Sequence, residues 1–222
     1  MCARYVFFSG RTFGDEFGVV AVPDLTPRYN IAPTQQVPGV VSTSSGREFA
    51  MFQWGLVPSW SKDPQSGSKL INARSETVAE KPSFRSAFKN RRCLIPADGF
   101  YEWKGEKGSK QPYYITTDRH PFAFAGIWET WEGPEGLIQS CSILTTSANE
   151  LLSQIHDRMP VILKHDEYDT WLDIEAPPQV LTALLDQFPT SQMSMHPVTT
   201  AVGNSRFDDP SAIEEVPPNT LF

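Results

Sequence analysis

Arg92-Cys93-Leu94-Ile95-Pro96-Ala97-Asp98-Gly99-Phe100-Tyr101-Glu102-Trp103 is the stretch on which the fold turns. Two apolar and aromatic runs, 93–95 and 99–103, are split by a Pro-Ala-Asp interruption, which reads as strand, turn, strand. The pattern repeats downstream at 113–117, 122–131 and 137–145, β-branched or aromatic runs parted by Gly, Pro and charged residues. Upstream, 2–8, 37–41 and 49–54 read as three more strands, with a proline-rich ordered loop over 27–38. Helical signals are sparser: 75–90, interrupted at Pro82, then 149–155, 166–172 and 178–188, before a last strand at 195–199. Strands follow strands and helices do not alternate with them. The expected fold is therefore α+β, a single domain with a mainly antiparallel, barrel-like sheet and peripheral helices. The domain is expected over 1–207, with 208–222 as a C-terminal tail.

The composition narrows the function. The chain has 222 residues, 40% of them hydrophobic, with 19 prolines, so it can bury a core and is not a disordered chain, a coiled coil or a collagen-like rod. No stretch approaches the roughly 20 apolar residues of a bilayer span, and no basic-then-apolar leader opens the sequence, so a soluble, cytoplasmic protein with no membrane partner is expected. The cysteines at 2, 93 and 141 are odd in number and far apart, which argues against a disulfide framework or a CxxC zinc site. The four histidines lack ligand spacing, and phosphate-loop, GxGxxG, HExxH and GxSxG motifs are absent. No metal and no cofactor are expected, and nothing demands more than a monomer.

The net charge of −7 would ordinarily oppose nucleic-acid binding. The charge is uneven, however. Between Trp54 and Lys110 there are 11 Lys or Arg against 6 Asp or Glu, so that stretch is basic while the remainder is strongly acidic. A solvated helix face over 81–92 would account for this. The aromatics interleaved there (Trp54, Trp60, Phe84, Phe88, Tyr101 and Trp103) point instead to a groove that stacks bases while cations hold the backbone.

Cys2 becomes the N-terminal residue if Met1 is trimmed, and a small second residue favours trimming. The chain would then begin with a 1,2-aminothiol, whose amine titrates near 7.7 to 8.0 and whose thiol near 8.5, by model-peptide values of roughly that size. Such a group can act as an N-terminal nucleophile on an ester or amide. It can also condense with an aldehyde to an imine on which the thiol closes to a thiazolidine, the second attack being intramolecular. Taken alone, Cys2 could equally be a small residue near a chain end. The strand-like run 2–8 would hold it in a sheet. Glu102, between aromatics, can serve as a proton donor if it points inward, or face solvent in an alternating strand. His156 could cap a helix C-terminus, Asn72 could cap a helix or form a turn, and Arg74 could be a surface ion-pair partner.

Six motifs in order carry a more specific resemblance: Asn30-Ile31-Ala32-Pro33-Thr34, Trp54-Gly55-Leu56-Val57-Pro58-Ser59-Trp60, Asn72-Ala73-Arg74-Ser75-Glu76, the stretch 92–103, His156-Asp157-Arg158-Met159-Pro160 and His196-Pro197-Val198, behind an N-terminal Met-Cys. Together they resemble the SRAP family, named for SOS-response-associated peptidase, from residue 2 to about 205. Ala3 departs from the family's usual glycine. The resemblance implies binding of single-stranded DNA and a lyase-like, covalent thiazolidine crosslink between Cys2 and the ring-opened aldehyde of an abasic site, after Met1 is removed by the protein itself or by an aminopeptidase. It further implies proton transfer by Glu102, acid or base assistance by His156, orientation of the N-terminal group by Asn72, and phosphate contacts from Arg4, Arg74 and Arg158. Asn30, Pro33, Trp54, Trp103 and Thr145 would shape the pocket and wedge or stack bases. The alternatives are a thiol peptidase or amidohydrolase, as the family name suggests, and a noncovalent single-stranded-DNA-binding protein.

Overall fold

The computed structural model describes residues 2–106, 109–134 and 136–217. Among these, the strands in chain order are β1 (Tyr5–Phe7), β2 (Arg28–Ile31), β3 (Gln36–Thr43), β4 (Gly46–Trp54), β5 (Asn72–Arg74), β6 (Arg92–Ala97), β7 (Gly99–Lys104), β8 (Gln111–Thr117), β9 (Phe122–Gly133), β10 (Gly136–Ser147), β11 (Arg158–Pro160), β12 (Ile162–Leu163) and β13 (Met193–Pro197). The α-helices are short: α1 (Phe13–Phe17), α2 (Arg85–Asn90), α3 (Tyr168–Leu172) and α4 (Pro178–Ala183).

β4, β3, β6, β9 and β10 pair in a ring that closes where β10 meets β4, the one parallel contact among antiparallel ones. Closure leaves these strands without a free edge. It also explains why β6 reads as an apolar run beyond Arg92, since all six of its residues are buried. β5 continues the β4 edge along β10, placing Asn72 opposite Ile143 and Arg74 opposite Thr145. A second sheet, ordered β13-β8-β7-β1-β2, stands against the barrel.

Asp98 is the corner between the two layers, one residue after β6 and one before β7. Its buried carboxylate accepts the Phe8 and Ser9 N–H groups at 2.6 and 2.9 Å and the Ser9 hydroxyl at 2.5 Å. Its carbonyl accepts the Tyr114 and Thr116 hydroxyls. Gly99 is required next to it, because a Cβ there would lie 2.3 Å from the Tyr114 ring.

The expected α+β barrel is therefore present, with local differences. The first strand starts at Tyr5 rather than residue 2. The proline-rich loop contains β2 and opens β3. The helix expected over 75–90 is confined to α2, beyond Pro82, and 149–155 holds only one tight turn, Leu152–Gln154, capped by the Asn149 side chain. The helix expected over 178–188 stops at Ala183. Helices this short owe their existence to packing rather than propensity. The segment expected as a tail docks on the second sheet as far as residue 216: Asp208 pairs with Arg28, Ala212 is buried, and the Val216 N–H donates to Pro197. Local periodicity did not carry that docking, since it rests on one carboxylate, one backbone N–H and single apolar side chains spaced along an irregular segment.

Arg92, at the start of β6, is buried and donates only to carbonyls: Phe88 and Lys89 at the end of α2, and Trp171 and Asp173 at the end of α3. One guanidinium thus satisfies the last carbonyls of two helices. Arg92→Leu should strand those acceptors and lower unfolding stability by about 2–4 kcal/mol in urea titration, the scale of buried polar groups left unpaired. A loss below about 0.5 kcal/mol would show that the two helix ends do not depend on it.

Candidate active site

Residues 2–4 lie between the barrel and the second sheet. The Asn72 Nδ2 on β5 donates to the Cys2 carbonyl at 2.7 Å, and the Tyr101 N–H on β7 donates to the Arg4 carbonyl at 3.0 Å. The terminal segment is thereby tied to both layers. Cys2 is fully buried, its Sγ 3.8 Å from the Arg4 carbonyl. Burial pushes the thiol pKa well up, and the nearby Glu102 carboxylate pushes it further. Glu102 points inward at 3% exposure, so the alternating-strand reading in which it faces solvent does not apply. Asn72 Oδ1 is buried and has no hydrogen-bond partner among the described residues. The Asn72 amide thus has its donor engaged by the Cys2 carbonyl and its buried acceptor open.

His156 follows the Leu152–Gln154 turn, with its own N–H bonded to the Leu152 carbonyl. Its Nδ1 accepts the Arg158 N–H at 2.9 Å and lies 3.0 Å from Asp157 Oδ1. The two partners make opposite demands. A neutral ring offers its Nδ1 lone pair to the amide, while a protonated ring donates from Nδ1 to the carboxylate, so either state has a partner. Arg158 joins this loop to β5: its guanidinium grips Glu76 at 2.5 and 3.0 Å and donates to the Thr145 carbonyl at 2.6 Å.

The three expected phosphate-binding arginines are thus in different states. Arg74 is exposed, with no ion pair among the described residues. Arg4 is half-buried and bonded to the Asn30 Oδ1 and to the carbonyls of Val202 and Gly203, none of which cancels its charge. Arg158 is neutralised by Glu76, whose carboxyl it holds below the usual range. Glu76 was given no role in the sequence reading; an acid two residues after Arg74 in a basic stretch was the available signal.

Several expected base-contacting residues lie too deep to touch DNA. Trp54 is fully buried in the barrel, its indole N–H donating to Ile71 and its ring edge-on to Tyr5 at 5.4 Å. Asn30 and Thr145 are fully buried as well. Asn30 ties down three carbonyls, of Val202, Asn204 and Phe207, which makes it a brace for the surface above. Phe84, Phe88 and Tyr101 are buried also. Trp103 and Pro33 are half-buried, and Trp60, left outside the expected site, is 66% exposed. Of the interleaved aromatics, only Trp60 and Trp103 can offer a face to a base. No cluster of three His, Cys, Asp or Glu among the described residues could hold a metal ion, and no described helix is long and apolar enough to cross a membrane.

Sequence comparison adds an independent line: residues 1–205 match the profile of the family described as SOS response associated peptidase (SRAP). The chain belongs to the SRAP family. Among its relatives, the Bacillus subtilis protein named abasic site processing protein YoqW is 39% identical over 224 residues, covering 96% of this chain and 99% of its own. The Xenopus tropicalis abasic site processing protein HMCES is 34% identical, covering 86% of this chain and 66% of its own. A crystal structure of a Bacteroides thetaiotaomicron protein superposes with a TM-score of 0.88 at 28% identity, over 97% of this chain and all of that one. The SRAP motifs at 72–76 and 92–103 meet at Cys2 through Asn72 on β5 and Glu102 on β7, and the motif at 156–160 is joined to the first of them by the Arg158–Glu76 pair.

The three cysteines give the site's surroundings a measurable signature. Burial raises the pKa of Cys2, Cys93 and Cys141 alike. A raised folded pKa protects below the unfolded value, and that protection is lost as pH climbs past it. Unfolding free energy should therefore fall above about pH 8.5, by up to about 1.4 kcal/mol per pH unit for each thiol. Urea titrations from pH 8 to 10 test this, and Cys93→Ala with Cys141→Ala should flatten the slope by roughly two thirds of the thiol share. An unchanged slope would mean the thiols ionise equally in both states.

Proposed function

We propose that this SRAP protein binds single-stranded DNA and captures abasic sites covalently through Cys2, once Met1 has been removed. The observation that carries the reading is the enclosure of Cys2 by Asn72 and Glu102, with Arg4 and Arg74 keeping uncompensated charge nearby. The names of its relatives, as abasic site processing proteins, support the same substrate.

The buried environment sets the order of steps. A thiol held protonated by burial and by Glu102 is a poor first nucleophile, whereas a free α-amine is a competent one at neutral pH. The amine of Cys2 therefore attacks the C1′ aldehyde to give a carbinolamine. Loss of its hydroxyl as water forms an imine. The thiol sulfur then bonds to the imine carbon while its proton passes to nitrogen, closing the five-membered ring with one water released overall. Glu102 first takes a proton from the attacking amine and passes it to the departing hydroxyl, and later relays the thiol proton from sulfur to nitrogen, so its carboxylate is regenerated each time. Asn72 Oδ1 accepts from the amine and aims its lone pair. His156, partnered in both protonation states, assists ring opening of the sugar. Arg4 and Arg74 hold phosphates, Arg158 doing so by exchanging Glu76 for the backbone, and Trp60 and Trp103 stack bases.

The test is a denaturing gel of purified protein mixed with single-stranded DNA bearing one abasic site. A shifted band that survives denaturation is expected, together with an intact mass lacking one methionine. Cys2→Ala should abolish the band, and Glu102→Gln should slow its appearance by about 10²-fold, the usual size of a lost general acid-base group. Absence of the band with the unmodified protein, or an equal band with Cys2→Ala, overturns the reading. A Cys2→Ser protein that retains peptide hydrolysis but no crosslink would favour the peptidase alternative.

A further inference from the structure

The residues after Gly203 do more than finish the fold. Val202 and Gly203 supply the carbonyls that hold the Arg4 guanidinium, so the position of that charge depends on where this stretch lies. One acid fixes it from the far side. Asp208 Oδ2 accepts Arg28 Nε and its Oδ1 accepts the Tyr29 N–H, both at 2.5 Å, so the carboxylate clamps the strap to β2. The next residue of β2 is Asn30, which bonds to both Arg4 and the strap. Beyond Asp208 the strap is seated by buried Ala212, whose carbonyl faces the Tyr101 hydroxyl at 3.4 Å. The same small core includes Trp103 at its margin.

We propose that the strap over 202–216, locked by Asp208, is a positioning element for the DNA-binding edge, with Asp208 acting through Asn30 and Arg4. This rests on the DNA-binding role given to Arg4 above and extends it to a residue beyond the family match, which ends at 205. Simple charge counting makes the opposite prediction. Removing an anion from a protein of net charge −7 should strengthen attraction to a polyanion. If Asp208 positions Arg4, its removal weakens that attraction.

The experiment uses Asp208→Asn, a near-isosteric change at a partly exposed side chain, in the full chain, with circular dichroism verifying the fold. Binding to undamaged single-stranded DNA is followed against salt concentration, and crosslinking to abasic DNA against DNA concentration. The expected result is affinity lowered about tenfold and a salt slope shallower by about 0.7, the share of one phosphate contact on a single strand. The half-saturating DNA concentration rises while the rate at saturation stays unchanged. In an Arg4→Ala background, Asp208→Asn adds nothing further. Equal or tighter binding by Asp208→Asn overturns the proposal, and so does an equal loss with Arg4 already absent, which would mark Asp208 as structural only. If the unmodified protein binds DNA but forms no crosslink, the covalent reading fails while the salt-slope comparison still decides the strap.

Discussion

A polypeptide end has little reason to stay in place, and the site described here depends on a hydrogen bond that keeps one there. The Asn72 amide reaches from β5 to the Cys2 carbonyl, and the Tyr101 N–H reaches from β7 to the Arg4 carbonyl. Both anchors act on backbone carbonyls, and the Cys2 thiol adds only a weak donation to the Arg4 carbonyl. Preorganisation of this kind is worth most when two nucleophiles must meet one carbon in turn, because the second step then costs little orientational freedom. The barrel supplies the rigidity. β5 lies along β10, a member of the closed ring, and β7 leaves the same ring through the Asp98 corner.

For an acidic protein to hold a polyanion, as proposed above, electrostatics must act locally. The relevant quantity is the field at one edge, and it depends on what each arginine is bonded to. Arg92 is spent on helix-end carbonyls in the interior, and Arg158 is balanced by Glu76. Arg4 is bonded to dipoles, which orient it without cancelling its charge, and Arg74 stands in solvent. Part of the basic excess over residues 54–110 is internal, because Arg92 lies inside the fold.

The sequence made the strand-rich middle legible because β6 is buried on both faces, and the run 93–97 carries that pattern openly. It also singled out Cys2, Asn72, Glu102 and His156, residues whose chemistry is unusual for their surroundings. Depth was not legible. Trp54 and Trp103 look alike in a basic, aromatic stretch, yet one is sealed in the barrel and the other lies at the margin of the small core on the second sheet. Asn30 resembled a surface contact because a buried amide that bonds three carbonyls leaves no trace in local periodicity. The final segment resembled a tail because the acid that clamps it, Asp208, meets its partners Arg28 and Tyr29 some 180 residues away in sequence.

Burial of the Cys2 thiol at first seems to argue against a nucleophilic role, since low thiol pKa values are what reactive cysteines usually show. For the two-nucleophile capture proposed above, the argument reverses. An early thiolate would add to the aldehyde and form a hemithioacetal that reverts readily, competing with the amine for the same carbon. A thiol kept neutral by its apolar setting and by the charge of Glu102 leaves the first step to nitrogen. Once the imine forms and is protonated, the positive charge on nitrogen beside Glu102 and the sulfur removes part of the penalty that held the thiol neutral. Each step thus prepares the electrostatics of the next, and a single carboxylate can restrain sulfur before condensation and accept its proton afterwards.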